Sequence, residues 1–125
     1  SVYGSTSFKS LVIHRALDII MPDVKYCGGV SQAYDAGLDA LSLGANVSLH
    51  SPSGPVSLMH SAHVTAAIDN DLTLEHAVYE ADWRSELIDP FESISKGKIT
   101  LGNSSGTGIK LNKPILQKYG RQWSP

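Results

Sequence analysis

The sequence is short of the features that mark several large protein classes. Its 125 residues include one cysteine, Cys27, which excludes an internal disulfide and any Cys-x-x-Cys metal or redox motif. No apolar run approaches the roughly 20 residues of a membrane span, and no signal-peptide pattern opens the chain. The formal net charge is only −2, so nothing favours nucleic acid or an anionic membrane as a partner. These absences predict a soluble, cytoplasmic protein.

What the sequence does have is an alternation of helical and strand-like patterns, which predicts an α/β fold. The length predicts one domain, residues 1–125, and no stretch is rich enough in proline, glycine or serine to mark a second. Ser5 or Thr6 is the expected N-cap of the first helix, and a turn is expected at Gly28-Gly29. The expected helices are 5–16, 30–45 and 54–68, and the expected strands are 17–24, 46–50 and 75–80.

The expected strands end near Asp23, His50 and Glu80, and these residues are 27 and 30 positions apart. This is the spacing of βα repeats in a parallel sheet, so residues 1–81 are interpreted as three βα-type units. Residues 82–125 lack the repeat and form a loop-rich C-terminal tail, in which residues 98–101 and 108–111 are expected to pair as strands.

Three ionisable side chains therefore fall at successive strand ends, where active sites of parallel α/β folds collect. A carboxylate such as Asp23 fixes the tautomer and orientation of an imidazole such as His50, and the pair can act as a general base near neutral pH. A further carboxylic acid, Glu80, can donate a hydrogen bond to a developing oxyanion. The structural alternative is that Asp23 caps a turn, His50 packs in a loop and Glu80 is solvated.

Two further sets of residues are candidates for function. His60 and His63 are three residues apart on a predicted helix, but without a nearby carboxylate or cysteine they make a weak metal site, and packing is the favoured role. Arg84 is a candidate to bind a substrate carboxylate. The alternative for Arg84 is a surface ion pair with Glu86 or Asp89.

Four stretches carry a family resemblance. "IIMPDVKYCGGVSQAYDAG", "VSLHSPSGPVSLMHSAHVTAAI", "VYEADWRSELIDP" and "SSGTGIKL" resemble, in order and spacing, the C-terminal part of the mandelate racemase/muconate lactonizing enzyme family of the enolase superfamily. The resemblance implies that the chain is the last three βα-type units of a (β/α) TIM-type barrel plus its C-terminal tail.

The resemblance also implies a chemistry, the removal of a proton α to a carboxylate with a Mg²⁺-stabilised enolate. By this likeness His50 is the general base or acid, Asp23 its partner, and Glu80 a hydrogen-bond donor to the substrate carboxylate. The metal ligands would lie upstream of residue 1, so no metal ligand is expected in this chain. The favoured reaction is dehydration of an acid sugar. The alternatives are a racemase or epimerase of a 2-hydroxy acid, and a catalytically inactive partial-barrel interaction module.

An incomplete barrel has consequences for the chain by itself. Its inner face, expected to be lined by Ile20 and Val47, would lack a cover, although parallel sheets are stable almost only when both faces are covered. The chain is therefore expected to be inactive in isolation, and to be a homo-oligomer or a fragment of a larger chain.

Overall fold

The structure is a computed structural model that describes residues 2–68, 70–78 and 81–121. The helices are α1 (Ser5–Ile13), α2 (Val30–Ser42), α3 (Pro55–Ala67) and α4 (Lys113–Tyr119), and a 3₁₀ turn covers Arg84–Glu86. The strands are β1 (Ile19–Ile20), β2 (Asn46–Val47), β3 (Ile88–Asp89), β4 (Ile94–Ser95), β5 (Lys98–Ile99) and β6 (Lys110–Leu111). Helices and very short strands alternate as far as α3, and β1 and β2 are parallel, which confirms the α/β class.

Strands β1 and β2 are parallel neighbours, with Ile20 opposite Val47. The hydrogen-bond ladder runs beyond the assigned strands, because the backbone N–H of His50 donates to the carbonyl of Pro22 at 3.1 Å. The two segments that precede Asp23 and His50 therefore run side by side, and both residues lie at the C-terminal end of this parallel pair.

The hydrophobic core lies on one face of the β1–β2 pair. Ile20 and Val47 are fully buried there, so the expectation that they line an uncovered inner face is wrong. Because side chains alternate between faces along a strand, the opposite face carries Ile19 and Met21, which are 45% and 47% exposed. The core residues from the three long helices are Phe8 and Val12 of α1, Ala33, Ala36 and Ala40 of α2, and Val64 of α3.

The ends of α1 differ from the sequence prediction. The helix begins directly after Gly4, so neither Ser5 nor Thr6 is its N-cap. It ends at Ile13 rather than at residue 16. Arg15 has a φ of 51°, a left-handed conformation that cannot continue a right-handed helix.

The tail pairs differently from the prediction. The predicted pairing of residues 98–101 with 108–111 is not formed. Strand β5 pairs with β4, and β6 pairs with β3, both antiparallel. Lys96 and Gly97 both have positive φ, as a two-residue hairpin turn requires. This local turn closes the β4–β5 hairpin at a smaller entropy cost than the longer loop that was predicted.

Two glycine positions matter for how the helices are placed. Gly28 and Gly29 have φ values of 111° and 98°, which confirms the turn that leads into α2. Gly37 is in the middle of α2, where a Cβ atom would overlap the Cδ1 atom of Ile68. Its missing side chain lets the end of α3 approach α2.

Within the described ranges, no helix is both long and apolar enough to cross a membrane.

Candidate active site

His50 and Asp23 are in direct contact, as expected from their strand ends. His50 Nδ1 is 2.9 Å from Asp23 Oδ2. Because an ionised carboxylate only accepts hydrogen bonds, Nδ1 carries the proton and donates it. The other Asp23 oxygen, Oδ1, accepts the backbone N–H of Lys25 at 2.8 Å. Asp23 is 5% exposed and is thus fixed on both oxygens, which leaves Nε2 as the ring nitrogen of His50 available for proton transfer.

A side-chain hydrogen bond also connects the two loops that carry Asp23 and His50. The ammonium group of Lys25 donates to Ser53 Oγ at 2.6 Å, and it also lies 4.5 Å from the centre of the Tyr26 ring. The loop after Asp23 and the loop after His50 are therefore linked by a side chain as well as by the strand ladder.

The carboxylate that the structure brings to the other side of the imidazole is Glu75. Its Oε2 atom is 3.9 Å from His50 Nε2 and accepts the backbone N–H of Ser51 at 2.9 Å. A separation of 3.9 Å is too long for a hydrogen bond. The side chains of His50 and Glu75 are 42% and 39% exposed, so Nε2 and the carboxylate both border an open space.

Glu80, the third residue expected from the sequence, lies outside the described residues, and its role stays a prediction. Of the predicted strand 75–80, the described part, 75–78, is not assigned as a strand. Its first residue nevertheless lies beside the extension of β2, because the N–H of Glu75 donates to the carbonyl of Leu49 at 3.4 Å. Sequence reasoning missed Glu75. The interval from Asp23 to His50 is 27 residues, and the interval of 25 from His50 to Glu75 is closer to it than the interval of 30 from His50 to Glu80.

Arg84 forms a buried ion pair with Glu92. Its Nε and Nη2 atoms lie 3.0 and 2.8 Å from Glu92 Oε1, and the Glu92 side chain is fully buried. The alternative of a surface pair with Glu86 or Asp89 is therefore wrong. Binding of a substrate carboxylate by Arg84 stays a prediction, whereas the observed contact gives this residue a structural role in joining the 3₁₀ turn to the segment before β4.

The remaining candidates have structural partners. His60 Nδ1 donates to the Val56 carbonyl at 2.8 Å and His63 Nε2 to the Thr107 carbonyl at 3.2 Å, which favours packing over metal binding for both. Burial raises the pKa of the Cys27 thiol, and the residue is 1% exposed, which is typical of an unreactive cysteine.

Metal binding would need several ligating side chains close together. Residues 2–68, 70–78 and 81–121 contain no group of three or more histidine, cysteine, aspartate or glutamate side chains placed to hold a metal. Asp23, His50 and Glu75 do not make a magnesium site by themselves.

Comparison with known proteins identifies the family. Residues 1–115 match the model of the enolase C-terminal domain-like family. The chain belongs to this family. Its fold agrees with that of a mandelate racemase/muconate lactonizing enzyme-like protein from Rubrobacter xylanophilus, with a TM-score of 0.88 and 28% identity over 98% of this chain and 31% of that one. The predicted membership of the enolase superfamily is thereby confirmed.

Two relatives bear the names of acid-sugar dehydratases. D-xylonate dehydratase of Haloferax volcanii is 31% identical over 95% of this chain and 29% of its own length. Arabinonate dehydratase of Saccharolobus solfataricus is 26% identical over 95% of this chain and 32% of its own length. The chain thus spans about a third of the length of these relatives.

Proposed function

We propose that this member of the enolase C-terminal domain-like family supplies the last three βα-type units, and part of the active site, of an acid-sugar dehydratase. The observation that carries the proposal is the hydrogen bond of His50 Nδ1 to the buried Asp23 carboxylate, because it leaves Nε2 as the proton-transferring atom at an open edge of the sheet. The dehydratase names of the relatives favour dehydration. A racemase or epimerase would use the same pair.

The reaction proposed is loss of water from a 2,3-dihydroxy acid. The α-proton leaves as an enolate forms, the 3-hydroxyl departs with a proton as water, and the resulting enol becomes a 2-keto-3-deoxy acid. His50 Nε2 takes or gives one of these protons. Asp23 keeps the imidazole oriented and stabilises its protonated form.

Glu75 is proposed for the role that the sequence assigned to Glu80. One of its oxygens is held by the Ser51 N–H, which orients the carboxyl group, and the other oxygen, when protonated, can donate to the carboxylate oxygen on which enolate charge develops. A carboxylic acid donates in this way only when its site keeps it protonated. The position of Glu75 opposite the free ring nitrogen of His50 supports this assignment.

Family likeness implies a Mg²⁺ ion, which when bound would stabilise the negative charge of the enolate. The described residues do not form its site; by the same likeness, its ligands are proposed to come from the preceding barrel strands. None of the roles proposed for Asp23, His50 and Glu75 depends on a contact with the ion.

The proposal is tested with the complete protein, that is, this chain joined to the preceding barrel strands. We expect it to convert at least one C5 or C6 aldonic acid to a 2-keto-3-deoxy acid, detected as a semicarbazone. Inversion at C2 without loss of water would favour the racemase alternative. Absence of both reactions across a panel of acid sugars, with magnesium supplied, would favour the inactive interaction module.

A further inference from the structure

Residues 70–75, the segment that carries Glu75, are held beside β2 and its extension mainly by side-chain hydrogen bonds. Within the described residues, the segment's one backbone hydrogen bond to this neighbour is long and joins the Glu75 N–H to the carbonyl of Leu49, two residues beyond β2, at 3.4 Å. A side chain makes the better contact, since Ser48 Oγ donates to the carbonyl of Thr73 at 2.8 Å.

Asn70 provides a second side-chain attachment at the start of the segment. Its Nδ2 donates to the Val47 carbonyl, and its Oδ1 accepts the N–H of Leu72 at 3.3 Å. The nitrogen and the oxygen of this one side-chain amide hold the chain where it turns to run beside β2.

These contacts fix the register of the segment. Ser48 precedes His50 by two residues and Thr73 precedes Glu75 by two, so the Ser48–Thr73 contact lies one row below the meeting of His50 and Glu75. In an extended chain, a slip by one residue turns every side chain to the other face. Such a slip would remove the Glu75 carboxylate from the imidazole.

We propose that Ser48 and Asn70 are positioning residues, whose hydrogen bonds set the register of residues 70–75 against β2 and so place Glu75 opposite His50 Nε2. The inference rests on the proposed function and extends it to residues that touch neither substrate nor the reacting atoms.

The test compares Ser48→Val with Ser48→Thr in the complete protein, since valine and threonine have the same shape and differ in the hydroxyl. We expect Ser48→Val to lower kcat by about ten- to a hundredfold, the effect of a misplaced catalytic group, with little change in KM. Ser48→Thr should keep near wild-type turnover. The matched control is Ser42→Ala, because Ser42 Oγ makes a bond of equal length, 2.8 Å, to the Asp39 carbonyl on α2.

The same substitutions in a Glu75→Gln background separate this inference from the role of Glu75. If Ser48 acts through Glu75, Ser48→Val should cost little further activity there, because coupled residues are not additive. An equal loss in both backgrounds, or wild-type kcat for Ser48→Val alone, would overturn the positioning role. Wild-type turnover of Glu75→Gln would overturn the role of Glu75 and this inference with it. If Ser48→Val does not fold, Asn70→Asp, which removes the amide donor and keeps an oxygen acceptor, serves in its place.

Discussion

At the scale of single residues, the proposed chemistry depends on the imidazole of His50 held by the carboxylate of Asp23. In the complete protein, His50→Asn should abolish exchange of the substrate α-proton with solvent deuterium while substrate binding stays largely intact. The expected loss is about 10²–10⁴-fold, the usual contribution of a general base. NMR of the substrate in D₂O measures the exchange. His63→Asn is the control, because His63 donates to the Thr107 carbonyl instead. Exchange at the wild-type rate in His50→Asn would remove His50 as the base.

The two candidate glutamates can be separated by parallel substitutions. Glu75→Gln should lower kcat by about 10²–10³-fold, as expected for loss of one donor to a developing oxyanion, and should affect substrate binding less. Glu80→Gln tests the original prediction under the same conditions. Steady-state kinetics of both variants decide the assignment. A large loss in Glu80→Gln with unchanged turnover in Glu75→Gln would return the role to Glu80.

At the scale of elements, the close packing of α2 against the end of α3 requires a glycine. Alanine has the better helix propensity by about 1 kcal/mol, but the Cβ atom of Gly37→Ala would overlap the buried side chain of Ile68. Overpacking of this kind typically costs about 1–3 kcal/mol, so we expect a net loss of stability in urea unfolding. The double variant Gly37→Ala/Ile68→Val removes the overlapping Cδ1 atom and should recover part of the loss. A stabilised Gly37→Ala variant would show that α2 and α3 separate without cost.

At the scale of the whole molecule, the face opposite the core has little cover. Ile19 and Met21 are about half exposed there, and the outer edge of β1 can accept another chain. We expect the isolated 125-residue chain to self-associate and to bind hydrophobic dyes, as measured by sedimentation and fluorescence. Ile19→Ser should weaken association. Ile13→Ser is the control, since Ile13 is 56% exposed at the end of α1. A monodisperse, dye-free monomer with a cooperative melt would contradict the prediction.

Much of the fold and half of the site could be predicted from the sequence. The α/β class follows from periodicity, and the order of the three long helices follows from their apolar spacing and from the breaks at Gly28-Gly29 and Pro55. The meeting of Asp23 with His50 follows from two consecutive parallel strands that end 27 residues apart. Each of these depends on local pattern or on neighbouring elements, which a sequence records directly.

Other features were decided by the tertiary structure. Ile20 and Val47 are buried because the helices cover their side of the strands. Alternation of apolar residues along a strand shows that two faces exist, but it does not show which face the helices cover. The tail strands found other partners because a two-residue turn competes with a longer loop. Glu75 rather than its neighbours meets His50 in the described residues because Ser48 and Asn70 fix a register that no backbone ladder imposes. Several strand pairings and registers are nearly equal in free energy, and side-chain contacts between segments distant in sequence decide among them. Such contacts exist only once the chain has folded.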